Sequence, residues 1–340
     1  MLNYQAILKI FPIAENKQKL ADFVADELVN CAVPEGKLLI ITKSKDVLVN
    51  SHVGLDPQSQ IQQSLAPCNH EEADTRMFLH VKDICSNGHT SVAIRTGDSD
   101  VIVLAIATHP KIPYLQELWV QWGTALKNRN FPIHQLHKEL GHNIAAGLPL
   151  FHALSGCDQV GGLNGKRKRS FWKAWMAFPA INLHFARLSQ GNPSMAHFEA
   201  AFTVLQQFIC KLYNLEFQNI NECDEARLAL AKKGTDFSNM PPSADALRQL
   251  FLRATYIAGY VWGNCLVKSI CPPHPGIWAY KIHNDEISAV NATLPPISKA
   301  MRALTVCGCT KACSPPCGCA ANGLRCTPLC KCMGECYKFD

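Results

Sequence analysis

The sequence contains no long apolar run. Its best apolar stretch, Val101 to Ala107, falls far short of the roughly 20 residues that cross a bilayer. The opening MLNYQAILKIFPIAENKQK lacks the basic start, extended apolar segment and small-residue cleavage site of a secretory signal. The chain is therefore expected to be soluble, made in the cytosol and without a membrane partner. Internal repeats and low-complexity tracts are also missing, and 340 residues at 48% hydrophobic content suit a globular chain long enough for two domains. Charge of one sign is scarce: 33 basic against 27 acidic residues leave a formal +6, too little to name a partner.

The distribution of that charge says more. Lys166, Arg167, Lys168 and Arg169 form one basic run. From Met301 onward, Arg302, Lys311, Arg325, Lys331 and Lys338 face only Glu335 and Asp340. Such patches suit a polyanion such as DNA or RNA, and the 166–169 run is also a hint of nuclear import. Taken alone, either patch is better read as a solvated surface.

The chain has 17 cysteines, unevenly spread. Eight (Cys31, Cys68, Cys85, Cys157, Cys210, Cys223, Cys265, Cys271) show no ligand spacing and read as small buried hydrophobes. The other nine repeat one unit, C-x-C followed by a third cysteine. They are Cys307, Cys309 and Cys313, then Cys317, Cys319 and Cys326, then Cys330, Cys332 and Cys336. An odd number in a chain expected in the cytosol argues against disulfides and for metal. Zinc takes four thiolates, so nine can complete three tetrahedra if three sulfurs bridge; two ions with a spare thiol is the alternative. Only Leu324 and Leu329 could be buried between these cysteines, so metal binding must supply the folding free energy. A purely structural staple of the C-terminus fits the same pattern.

In the body, residues 15 to 30 place Leu20, Phe23, Val24 and Leu28 at helical spacing. Lys37 to Thr42 reads as a short buried strand, with a second at Asp46 to Asn50. A helix is expected from Glu71 to Cys85, stopped by Asn87-Gly88, then a strand from Ser91 to Thr96 and a turn at Gly97 to Asp100. Val101 to Ala107 is either a strand or the start of a buried helix. A strand at Leu118 to Trp122 and helices at Ile133 to Leu140 and Leu148 to Leu154 follow. This alternation predicts an α/β domain with a largely parallel sheet over residues 1–169. Residues 170–300 read as all-helical, with helices at Ser170 to Phe178, Ser194 to Tyr213, Asp224 to Lys232 and Ala244 to Val267. Residues 301–340 form the cysteine tail.

Three acidic motifs punctuate the α/β part: Glu71-Glu72-Ala73-Asp74 at a helix start, Asp98-Ser99-Asp100 after a strand, and Gly156-Cys157-Asp158 before a glycine-rich loop and the basic run. Carboxylates leaving the C-terminal edge of a parallel sheet can converge in the crevice there. In extended backbone Asp98 and Asp100 would share a side. A purely carboxylate group is a hard-oxygen site for Mg²⁺ or Mn²⁺, which can activate water at a phosphodiester. Each motif also has a local reading. Asn69 and Glu72 could form a capping box, Glu72 could pair with Arg76, and Asp98, Asp100 and Asp158 could be turn residues. His134, His137 and His142 cluster on an expected surface helix, and Trp172 and Trp175 read as helix packing.

The tail CGCTKACSPPCGCAANGLRCTPLCKCMGEC resembles the CXC domain of tesmin-like proteins, with one unit where that family commonly has two. The resemblance implies a nuclear, zinc-cluster DNA-binding module using Lys311, Arg325, Lys331 and Lys338 on phosphates. The ordered acidic motifs with the glycine-rich basic loop resemble the core of PIN-like and flap-endonuclease nucleases, which have a Rossmann-like parallel sheet. That resemblance implies two divalent ions held by Glu72, Asp74, Asp98, Asp100 and Asp158. It also implies phosphates gripped by Gly161 to Lys168 together with Arg169. The family opens on a strand ending in an aspartate; this chain does not, so a truncated N-terminus is expected. A second early acid and the full helix–turn–helix signature are missing as well. The pairing of the two parts is similar to multi-copy animal proteins of mobile-element origin. The second expectation is a non-catalytic zinc DNA-binding protein with a decayed or structural acidic site.

Overall fold

The computed structural model describes residues 14–51, 58–124, 127–213, 220–284, 286–294, 306–309, 317–321, 324–326 and 330–334. The cysteines at 313 and 336 and the lysines at 311 and 338 lie outside them.

The first helix, α1 (Ala14–Val29), follows the expected spacing. Leu20, Phe23, Val24 and Leu28 nevertheless stay exposed, and only Ala25 is buried. Next comes the hairpin of β1 (Leu38–Lys43) and β2 (Asp46–Ser51). The strand expected to be buried is half-exposed, because β1 pairs only with β2 and belongs to no larger sheet. Helices α2 (Gln58–Leu65) and α3 (Ala73–Ser86) pack beside this hairpin, with Leu65 and Leu79 filling a small core around Val47. The Arg76 guanidinium donates to the carbonyls of Ser44 and Asp46, which ties α3 to the hairpin turn.

The central sheet is mixed. Strand β3 (Ser91–Thr96) pairs parallel with β4 (Glu117–Thr124), and β4 pairs antiparallel with β5 (Lys127–Pro132). The order is β3-β4-β5, so the largely parallel sheet expected from the alternation is reduced to one parallel pair. The reason is local. Residues 101–107 carry a β-branched run that suits a strand, yet they form helix α4 (Ser99–Thr108). The Asp98 carboxylate accepts from the Asp100 N–H at 2.8 Å and caps that helix. Being apolar on every side, α4 is stable only when enclosed, and Val101, Leu104 and Ala105 are fully buried.

Helices α5 (Ile133–Leu140) and α6 (His142–Leu154) follow, then α7 (Lys168–Met176), α8 (Asn182–Leu188), α9 (Met195–Tyr213), α10 (Cys223–Lys232) and α11 (Ala244–Thr255). Past Thr255 the chain continues as a π-helical segment, Tyr256–Val261. A last hairpin, β6 (Tyr280–His283) and β7 (Glu286–Ala289), corrects the expectation that residues 170–300 are all-helical. One buried cluster runs from Phe78 through Leu118, Leu150, Trp175, Phe208 and Phe251 to Trp278, across the 169/170 boundary. Among the described residues no helix is long and apolar enough to cross a membrane.

The join between the two parts is α6 against α8. A Cβ on Gly147 would meet Phe185 Cβ at 2.9 Å and the Ala186 backbone nitrogen at 3.3 Å. Glycine inside a helix costs about 1 kcal/mol relative to alanine, so Gly147→Ala would stabilise an isolated helix. Here overpacking is expected to outweigh that gain, because backbone cannot yield as a side chain can. A thermal melt should show Tm lowered by about 2–4 °C per kcal/mol of net loss. An unchanged or raised Tm would mean the helices are free to separate.

Candidate functional site

Three chain reversals deliver the five acidic side chains. Glu72 occupies the N-cap of α3, and Asp74 lies in its first turn. The Glu72 carboxylate makes no cap hydrogen bond, and the Asn69 amide is engaged with the backbone of Ile270, so no capping box forms. Glu72 does not pair with Arg76 either, whose guanidinium is turned to the hairpin carbonyls. Asp98 is on extended backbone as the cap of α4, but Asp100 already stands in the first helical turn, so the two do not share one extended stretch. Asp158 sits in the tight turn after α6, closed by reciprocal backbone hydrogen bonds between Cys157 and Val160 at 2.9 and 3.2 Å. Gly156 enters that turn at φ +110°, a conformation that suits glycine.

These carboxylates share one electrostatic neighbourhood. Burial pushes the Asp74 carboxyl up to about 6, and the four neighbours that add to the rise are Asp98, Glu72, Asp100 and Asp158. Glu72 is also raised, by burial first and by Asp100 and Glu71 among its neighbours. Asp100 moves the other way: its hydrogen bond to His152 holds it below the usual carboxylate range. No three of the carboxylates, however, bring oxygens within 4.8 Å of one another.

Sequence reasoning missed the residues that organise this site from below. His152 Nε2 lies 2.7 Å from Asp100 Oδ1, and its side chain is only 7% exposed. Lys168 Nζ approaches His152 Nδ1 at 3.1 Å and donates to the Gly156 carbonyl at 2.5 Å. Lys168 can only donate and the Asp100 carboxylate can only accept, so Nε2–H facing Asp100 is the arrangement that satisfies both. Gln159 donates its amide to Glu72, joining the third motif to the first. A signal for His152 was present, a lone polar residue in the apolar run LPLFHAL.

The basic run divides in two. Lys168 turns inward as described, and Lys166 Nζ donates to the Leu212 carbonyl at 3.2 Å and stands 4.2 Å over the Tyr213 ring. Arg167 and Arg169 are exposed, and so is much of Lys168, whose ammonium is nevertheless engaged by hydrogen bonds. Phosphate contact is therefore more open to the two arginines than to the two lysines.

The tail cysteines draw together. Sulfurs of Cys307, Cys319, Cys326 and Cys330 all lie within 4.8 Å of one another, as do those of Cys307, Cys309 and Cys317. Cys307 belongs to both groups. Sulfur separations are 3.6 Å for Cys307–Cys326, 3.7 Å for Cys319–Cys330, 3.8 Å for Cys307–Cys332 and 3.9 Å for Cys317–Cys326. A disulfide needs about 2.05 Å. Four sulfurs at about 2.3 Å from a common centre stand about 3.8 Å apart, the edge of a zinc–thiolate tetrahedron. Backbone N–H groups of Ala320 and Cys319 bring Cys317 down to about 7. Hydrogen bonding to Cys307 pushes Cys309 up to about 12, and burial pushes Cys319 to about 12 as well. So many thiols ionise together only around a cation. The cluster has the sulfur geometry to hold a metal ion and is compatible with zinc. Arg325 and Lys331 are exposed beside it.

His134 and His137 instead brace α5, their Nδ1 atoms 3.2 and 3.0 Å from the carbonyls of Leu118 and Ile106. His109 joins them with ring centroids at 6.4 and 6.2 Å, too open for a shared ion. Trp172 and Trp175 pack on Phe151, as helix packing requires. Comparisons with protein-family models, with curated proteins and with solved structures found no match for this chain.

Proposed function

We propose that this chain is a nucleic-acid-binding protein with a Mg²⁺- or Mn²⁺-dependent phosphodiesterase centre at Glu72, Asp74, Asp98, Asp100 and Asp158. Its cysteine tail is a zinc-cluster DNA-binding module of up to three ions, and the protein acts in the nucleus. The observation that carries the catalytic part is the Asp74 carboxyl, raised to about 6 with four other carboxylates acting on it. Carboxylates gathered at a cost in burial first and in mutual repulsion second are a usual setting for a bound hard cation. A divalent ion held there would polarise a phosphodiester and ease the deprotonation of an attacking water. The new bond joins that water's oxygen to phosphorus, and the ester bond to the departing sugar oxygen breaks. A carboxylate of the cluster left free of the ion would take the proton of the water, and solvent would return one to the departing sugar oxygen. His152 and Lys168 keep Asp100 ionised and oriented.

The test is cleavage of single-stranded or branched DNA in Mg²⁺ or Mn²⁺. Asp98→Asn keeps a good helix cap, and Asp158→Asn alters only an exposed turn, so both should fold. Each is expected to lose activity on the order of a hundredfold, about 3 kcal/mol of transition-state stabilisation. Equal trace activity in wild type and variants would remove the enzymatic reading.

The wide spacing of the carboxylates favours a second reading, a non-catalytic zinc DNA-binding protein whose acidic residues are structural. It predicts salt-sensitive duplex binding that disappears with residues 301–340.

A further inference from the structure

A cavity of about 420 Å³ opens beside the carboxylates, between the start of α3, the π-helical segment and the last hairpin. Its walls include Tyr256, Tyr280, Ile257, Val261, Pro272 and Pro275. The size lies in the small-ligand range of roughly 300–1,000 Å³. Glu72 and Gln159 border both this cavity and the acidic centre, so the two are continuous. The Asn69 amide, bonded at 2.8 Å to both the carbonyl and the N–H of Ile270, holds the proline-bearing wall against the start of α3.

The aromatic lining suggests a flat guest. Tyr256 and Tyr280 meet at 64° with centroids 5.7 Å apart, making a corner with one ring face and one ring edge. The Tyr256 hydroxyl donates to the Pro273 carbonyl at 3.3 Å, which fixes that ring. Glu71, Glu72 and Gln159 supply polar groups in the lining. Aromatic and apolar walls with polar side chains among them match the faces and the edge of a nucleobase, and a base is what hangs one sugar away from a phosphodiester.

We propose that this cavity holds a single unpaired nucleobase whose adjoining phosphodiester lies on the carboxylate centre. The inference rests on the phosphodiesterase reading and narrows its substrate to single strands or flipped-out nucleotides. A base stacked inside a duplex has both faces covered and cannot enter.

The experiment is photocrosslinking of the full chain to a single-stranded oligodeoxynucleotide carrying 5-iodouracil, in Ca²⁺ to hold off cleavage. The expected crosslink maps by mass spectrometry to Tyr256 or Tyr280 and is absent with the same strand in a duplex. Tyr256→Leu and Tyr280→Leu keep apolar bulk and remove the π-face; each should lower single-strand crosslinking about tenfold. Crosslinks confined to other residues, equal labelling by duplex, or no crosslink in the wild type would overturn the proposal without recourse to variants. The two readings separate cleanly. A Tyr256 or Tyr280 crosslink with no cleavage in Mg²⁺ or Mn²⁺ supports the base pocket and removes catalysis. Cleavage lost in Asp98→Asn with crosslinks elsewhere does the reverse.

Discussion

Removing metal from the reduced protein with a strong chelator is expected to unfold the cysteine tail while leaving the body intact. Among the described residues of the tail the buried cluster is made of cysteines, with Leu324 and Ala320 at its margin. Such a segment buries too little apolar surface to offset its own chain entropy. Structural zinc sites supply roughly 10–16 kcal/mol of apparent binding free energy, which here is the folding free energy. Reactivity of the tail thiols should therefore rise by orders of magnitude on chelation. The core melt around Trp175 and Phe251 should shift little. Cys307 is the most informative single position, since its sulfur is common to both thiol groups. Cys307→Ser is expected to lower bound metal, measured by elemental analysis of the full chain, more than Cys309→Ser, which touches one group. Equal metal content in wild type and Cys307→Ser would mean that the sulfurs gather without an ion.

In the absence of divalent ions, Asp74→Asn is expected to stabilise the protein at pH 8. A folded-state pKa of about 6 against 3.8 unfolded means the folded state holds its proton more tightly. The ionised carboxylate is then a penalty that is full above pH 6. It fades as pH falls through 6 and is gone below about 4, where both states are protonated. Two units correspond to about 3 kcal/mol at most, and solvent screening at this partly exposed site reduces that to about 1–2 kcal/mol. Asp74→Asn should thus raise Tm at pH 8 and leave it unchanged at pH 4. Adding Mn²⁺ should raise the wild-type Tm and move the variant much less, because an ion that binds only the folded state stabilises it by mass action. If the variant melts below wild type at pH 8 without metal, the carboxylates are not in mutual repulsion. The metal-centre reading then loses its basis.

Much of the local structure was legible in order of residues alone. The helix at Ile133–Leu140 and those ending at Leu154, Tyr213 and Lys232 follow from apolar spacing and their Gly and Pro boundaries. The tail's capacity for metal was legible too, because ligand type and short-range spacing are properties of the chain itself. Three things were not. Whether Val101 to Ala107 is strand or helix turns on burial from all sides, which periodicity cannot distinguish. The direction of β5 against β4 depends on a hairpin whose strand, KNRNFP, carries no apolar alternation. The fate of the 166–169 run depends on what faces it: Lys168 is drawn in by His152 and Gly156, residues 16 and 12 positions away, and Lys166 by Leu212. Sequence therefore determined that the tail cysteines can bind metal and where several helices end. Only the tertiary structure decided which carboxylates feel one another and which cations are already engaged, because electrostatic and hydrogen-bond energies depend on distances that chain order does not encode.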